Sequence, residues 1–113
     1  MRLWMVNPKM LCKRHLLAEH FECHTFAGTI LKGKTITGYI NNGLLEPGKV
    51  KSRHKELVKE MNFRGYNHIS ELQSFSSEGL PEGKINILEN VELLRERCPE
   101  CKKLIEEIEK CSK

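Results

Sequence analysis

Three side chains in one short stretch, His15, Glu19 and Glu22, stand i, i+4 and i+7 apart, a spacing that on a helix gathers them within an arc of about 60°. An imidazole and two carboxylates grouped in this way, flanked by Leu16, Leu17 and Phe21, have the composition of an acid/base site whose protonation burial would tune. The same spacing also describes a solvated face held by i,i+4 pairing. His20 and His24, again i and i+4, can clamp a metal from one face or bond a phosphate or the backbone. The glutamate between them lies about 160° to 200° around the helix, so His20-Phe21-Glu22-Cys23-His24 is not the zinc-protease motif. Near the other end, Cys98-Pro99-Glu100-Cys101 is a CxxC at an expected helix start, where the dipole lowers a thiol pKa. A zinc site would need two more ligands, with Cys12, Cys23 and Cys111 as candidates. A thioredoxin-type pair would need a βαβ setting that this chain lacks, and the remaining reading is small cysteines packed in a helical core.

The elements that must position these groups are helices. Asn7-Pro8 reads as a helix start, Asn capping and Pro in the first turn, and the pattern predicts one long helix over residues 8–31 with Gly33 as its stop. Residues 32–48 hold Gly33, Gly38, Gly43, Pro47 and Gly48 around Asn41-Asn42, which predicts a long loop of little regular structure, a kind that often carries function. Over residues 49–64, Val50, His54, Leu57, Val58 and Met61 recur at helical spacing, with Arg64 and Gly65 at the C-terminal end. A second loop spans residues 73–84. Asn86 then caps a helix expected to turn Ile87, Leu88, Val91 and Leu94 inward. Pro99 either breaks that helix or opens a last segment carrying Cys101, Leu104, Ile105, Ile108 and Cys111. The expected fold is all-α: a compact single domain over residues 1–113, with three to four helices, two long loops and a C-terminal helical segment at 85–111.

Composition agrees. At 113 residues, with 39% hydrophobic and 30% charged residues, the chain has room for one modest core and no second catalytic domain. Sparse aromatic and β-branched residues exclude an all-β sandwich. Charge is uneven: residues 1–70 carry 12 Lys and Arg against 5 acids, a net of +7, whereas residues 71–113 carry 7 against 10, a net of −3. A basic front of that size suits a polyanion, whose counterions are released on binding, or is simply a solvated surface. No run of signal-peptide or membrane-span length occurs, and five cysteines leave at least one unpaired. The expected setting is the cytoplasm, with reduced thiols.

The run His15-Leu16-Leu17-Ala18-Glu19-His20-Phe21-Glu22 resembles the first-helix signature of the phage-type pyrimidine-dimer DNA glycosylases, historically called endonuclease V. Arg64-Gly65-Tyr66-Asn67 is similar to the Arg-Gly-aromatic-Asn turn that ends the family's middle helix, so the likeness covers roughly residues 1–70. Pro8-Lys9, Leu11-Cys12 and Tyr66-Asn67-His68 look closer to a shorter microbial branch. The chain departs from the phage type in carrying Phe21 and Thr25 where DNA-contacting arginines stand, with His20 and His24 nearby as partial replacements. It also has a Glu-rich segment with Cys98 and Cys101 in place of an aromatic, basic tail.

The resemblance implies an all-helical enzyme acting on damaged double-stranded DNA without cofactor or metal. Its nucleophile is the α-amine of the first residue, which displaces a base from deoxyribose, forms a Schiff base and allows strand scission as an abasic-site lyase. It places the catalytic pair on Met1 and Glu22, and DNA contacts on Arg2, His15, His20, His24, Arg64, Tyr66 and His68. The bulky Arg2 is expected to keep Met1 in place. General chemistry is consistent with this: an ordinary α-amine is about 10 to 15% neutral at pH 7, against about 0.04% for a lysine. A monomer acting away from membranes is expected. Two other readings use the same residues: a non-catalytic nucleic-acid-binding helical module, and a small zinc-binding protein.

Overall fold

The computed structural model describes residues 1–66 and 71–111. Asn67 and His68, named above, lie outside the described residues. Five α-helices are found among them: α1 (Lys13–Leu31), the short α2 (Thr37–Asn41), α3 (Val50–Phe63), α4 (Ile87–Arg97) and α5 (Pro99–Cys111). None is long and apolar enough to cross a membrane.

The expected first helix is divided. Asn7 caps as anticipated, its Oδ1 accepting the Lys9 N–H at 3.0 Å, but the turn it starts is a 3-10 turn, Pro8–Met10. The chain then extends through Leu11 and Cys12 before α1 begins at Lys13. That break buries Leu11 and Cys12 and leaves the carbonyls of Pro8 and Leu11 to Arg64, whose Nη2 donates to them at 3.2 and 2.7 Å.

Helices α1 and α3 pack side by side. The inward face of α1 is Leu16, Glu19, Cys23, Phe26 and Ala27, and that of α3 is Val50, Arg53, His54, Leu57, Glu60 and Met61. Both stripes keep helical spacing, yet each includes charged residues. The 32–48 connection, expected to be irregular, holds α2 and a 3-10 turn at Pro47–Lys49, and it reverses direction at Gly33 and Gly43, both at positive φ. Its Leu45 is wholly buried. The second loop runs against it so closely that a β-carbon on Gly83 would strike the Leu45 carbonyl.

Asn86 caps α4, its Oδ1 accepting the Glu89 N–H at 3.0 Å, and Pro99 opens α5 instead of breaking a helix. One expectation fails here. Leu94 is buried and Val91 packs against the core as expected, but Leu88 is 81% and Ile87 46% exposed, because α4 turns Asn90 inward beside Leu94. Asn90 is needed there to reach the N-terminal segment.

Candidate active site and DNA-facing surface

Residues 1–6 cross α1 as an extended segment pinned by the buried side chains of Leu3, Trp4 and Val6. Its backbone bonds go to scattered partners. The Arg2 N–H donates to Glu22 Oε2 at 3.3 Å, the Leu3 N–H to the Leu44 carbonyl at 2.8 Å, and the Met5 N–H to Glu19 Oε2 at 3.4 Å. The Trp4 carbonyl accepts from Asn90 Nδ2 at 2.8 Å and that of Val6 from Arg53 Nη1 at 2.7 Å. Met5 sits at φ 59°, a left-handed bend uncommon for residues other than Gly.

Beneath this segment lies a buried ion pair. Arg53 grips Glu19 with two hydrogen bonds, Nε to Oε2 at 2.6 Å and Nη2 to Oε1 at 3.0 Å, and the side chains are only 1% and 0% exposed. The Glu19 position is therefore neither a solvated face nor an accessible acid. It is a rigid floor, fork-to-fork in geometry, that holds the chain end from below. Arg53 was missed by reading α3 for apolar residues alone; its place three residues after Val50 and four before Leu57 is the signal that put it on the inward face.

Glu22, one turn further along α1, is half-buried. Burial pushes its carboxyl above the usual range, against the Arg2 N–H and the positive charge of the chain's α-amine, both of which favour the ionised form. Thus Met1, Arg2 and Glu22 do come together. The Arg2 guanidinium stands 4.1 Å from the Trp4 ring centroid, and its Nη2 donates to Asn90 Oδ1 at 2.9 Å, while its Nε is buried without a hydrogen-bond partner. Phe21, next to Glu22, is 69% exposed.

The remaining candidates fall into separate groups. His15 turns towards cysteines: its Nδ1 is 3.2 Å from Cys12 Sγ and 3.5 Å from Cys101 Sγ, its ring meets Trp4 edge-on at 6.0 Å, and burial together with Arg14 lowers its pKa. Cys12, His15, Cys98 and Cys101 form one group with metal-ligating atoms. Burial pushes the Cys98 thiol up, but hydrogen bonds from Cys101, Cys12 and Glu100 outweigh it and leave the thiol below its ordinary value. His20, His24 and His54 form a second such group, with ring centroids 4.8 to 4.9 Å apart. Beside it opens a groove lined by Lys51, His54, Lys55 and Gln73. Arg64 is tied to Glu60 at 2.8 Å as well as to the Pro8 and Leu11 carbonyls, and Tyr66 faces Lys13, whose Nζ is 5.4 Å from its ring. The sequence missed Asn90 and the third histidine, His54, as site-forming residues.

Comparison with known proteins gives one finding: a family model described as pyrimidine dimer DNA glycosylase matches residues 1–74. No curated protein and no solved structure matches.

Proposed function

Because the chain belongs to the pyrimidine dimer DNA glycosylase family, we propose that it is a repair glycosylase and abasic-site lyase whose nucleophile is the Met1 α-amine and whose acid/base group is Glu22. The observation that carries this reading is the docking of the chain end on Glu22, with the Arg2 N–H donated to its carboxylate and the α-amine close enough to favour its charge. A neutral α-amine supplies the lone pair that bonds to the deoxyribose anomeric carbon as the glycosidic bond breaks and the base leaves with a proton. Loss of the ring oxygen from that carbon then gives a protonated Schiff base. Glu22 faces the developing positive charge, and its carboxylate accepts the C2′ proton as the 3′-phosphate departs. Burial, which raises the pKa of this carboxyl, suits a group that must take up and release a proton.

Arg2, His20, His24 and Tyr66 are assigned to the DNA side, along with the basic groove beside His54, as contacts that position phosphates. His15 and Arg64 are assigned a supporting part: His15 lies behind Trp4, on which Arg2 stacks, and Arg64 holds the turn after the terminal segment. His68 is assigned to the same DNA face on the family likeness alone. The cytoplasm suits a chain whose five cysteines are all free.

Borohydride reduction during incubation with duplex containing an abasic site tests the nucleophile. The expected product is a covalent adduct on a peptide from residues 1–9, attached through the terminal nitrogen. One residue added before Met1 displaces that nitrogen by up to about 3.5 Å and should abolish the adduct. An adduct on Lys9 or Lys13 would overturn the mechanism while leaving lyase activity intact, and DNA binding with no adduct would point to the non-catalytic module.

A further inference from the structure

We propose that Cys12, His15, Cys98 and Cys101 form a structural zinc site that fastens the C-terminal helix pair to the start of α1. Their ligand atoms all lie within 4.8 Å of one another. Around a tetrahedral zinc with Zn–S bonds of about 2.3 Å and a Zn–N bond of about 2.0 Å, neighbouring sulfurs stand about 3.8 Å apart, and sulfur and nitrogen about 3.5 Å apart. Cys12 Sγ and Cys98 Sγ are 3.8 Å apart, and His15 Nδ1 is 3.2 and 3.5 Å from Cys12 Sγ and Cys101 Sγ. A disulfide would bring two sulfurs to about 2.05 Å, whereas these cysteines are free.

The surroundings are those of bound thiolates. The Cys12 N–H points at Cys101 Sγ at 3.3 Å and the Cys101 N–H at Cys98 Sγ at 3.4 Å, so the backbone itself supplies the hydrogen bonds that orient metal-bound sulfurs. The second of these closes the Cys98-Pro99-Glu100-Cys101 turn into a loop with both sulfurs on one side. All three cysteines are buried, and four protein ligands leave no coordination position for a substrate, the mark of a structural centre. Small residues filling a core would need no imidazole nitrogen set between two sulfurs. The extended backbone at Leu11 and Cys12, which divides the expected first helix, is what brings Cys12 to this centre.

The site goes beyond the proposed catalytic reading and does not depend on it, since neither the terminal amine nor Glu22 is a ligand. It revises the expectation of a metal-free protein in respect of the scaffold, not of the chemistry. The test uses the full chain without a histidine tag, purified without added zinc and, in parallel, stripped and reloaded with zinc under reducing conditions. The expected result is one zinc per chain, with X-ray absorption at the zinc edge giving three sulfur neighbours at about 2.3 Å and one nitrogen at about 2.0 Å. Cys101→Ser should lose zinc to a chelating competitor at least about 10-fold more readily, while Cys23→Ser and Cys111→Ser should hold it like the parent. If Cys101→Ser does not fold, the absorption spectrum of the parent protein decides. A protein that takes up no zinc on reloading overturns the proposal. So does a shell of nitrogen and oxygen alone, which would put the metal on His20, His24 and His54, and so does undiminished retention by folded Cys101→Ser.

Discussion

The α1–α3 half and the α4–α5 half solve the same problem, burying a helix face, by opposite means. In the first, charge is driven inside: Glu19 and Arg53 meet at the centre of the interface, and Glu60 takes Lys9 at 3.2 Å and Arg64 at 2.8 Å on its edge. In the second, the inward stripe is thin, with Leu94, Cys101 and Ile105 buried, and Arg95 makes its ion pairs, with Glu109 at 2.8 Å and Glu92 at 3.5 Å, on the outside. Buried charge tolerates one geometry only, which suits the half that holds the chain end in register on Glu19 and Glu22. The helix pair needs no such precision of its own and meets the first half through Asn90 and the cysteine cluster.

Four substitutions would break or sharpen that contrast. The largest effect is expected for Arg53→Met, which strands Glu19 in the core and should cost about 3–5 kcal/mol of stability in denaturant unfolding. A loss below about 1 kcal/mol would make the two halves alike, since that is the level of exposed pairs.

Glu22→Gln comes next, and it separates activity from stability. Strand cleavage at abasic sites should fall on the order of 100-fold or more, while the fold persists. Burial raises the Glu22 pKa in the folded protein, so the folded state holds that proton more tightly than the unfolded chain, and the parent loses stability as pH rises through the window between the two values. Gln cannot titrate. Thermal melting should therefore find the variant at least as stable as the parent near neutral pH, with its advantage shrinking as pH is lowered through the window. An advantage that instead grew in acid would reverse the assigned sign.

Asn90→Ala tests whether the halves communicate. It removes the bonds to the Trp4 carbonyl and the Arg2 guanidinium and should cost about 1–3 kcal/mol, with cleavage reduced on the order of 10-fold through misplacement of the chain end. Lower stability with full activity would show that the C-terminal pair is a passive cover. The smallest effect belongs to Arg95→Ala, on an exposed pair, where no shift of the melting midpoint is expected; a clear drop would mean that the helix pair relies on its surface charges after all.

What the sequence shows and what it hides follows the range of the forces involved. Asn7, Asn86, Gly65 and Pro99 act on backbone within a few residues, so their turns and caps are legible in order along the chain. Arg53 and Asn90 are polar residues on inward faces, and their meaning lies in partners 34 and 86 positions away. A pattern that scores polarity as outward therefore turns α4 the wrong way, exposing Asn90 and burying Leu88. The CxxC can be seen in the sequence, and Cys12 stands among three candidate partners, but nothing along the chain singles it out or adds His15 to it. Cys12 joins it only because the chain is extended where helical periodicity predicts a continuous helix, and the spacing groups His15 with Glu19 and Glu22, although its ring turns to the sulfurs.

The scattered attachment of residues 1–6 also makes the seating of the chain end a property of the whole fold. Its partners, Glu19 and Glu22, Leu44, Arg53 and Asn90, lie on α1, the 32–48 connection, α3 and α4 in turn. A fault in any one of those elements therefore reaches residues 1–6. Without α4, the Trp4 carbonyl and the Arg2 side chain lack their Asn90 partner, while the Arg2 and Met5 N–H groups keep their carboxylates. Residues 1–6 thus report on the state of every helix that touches them.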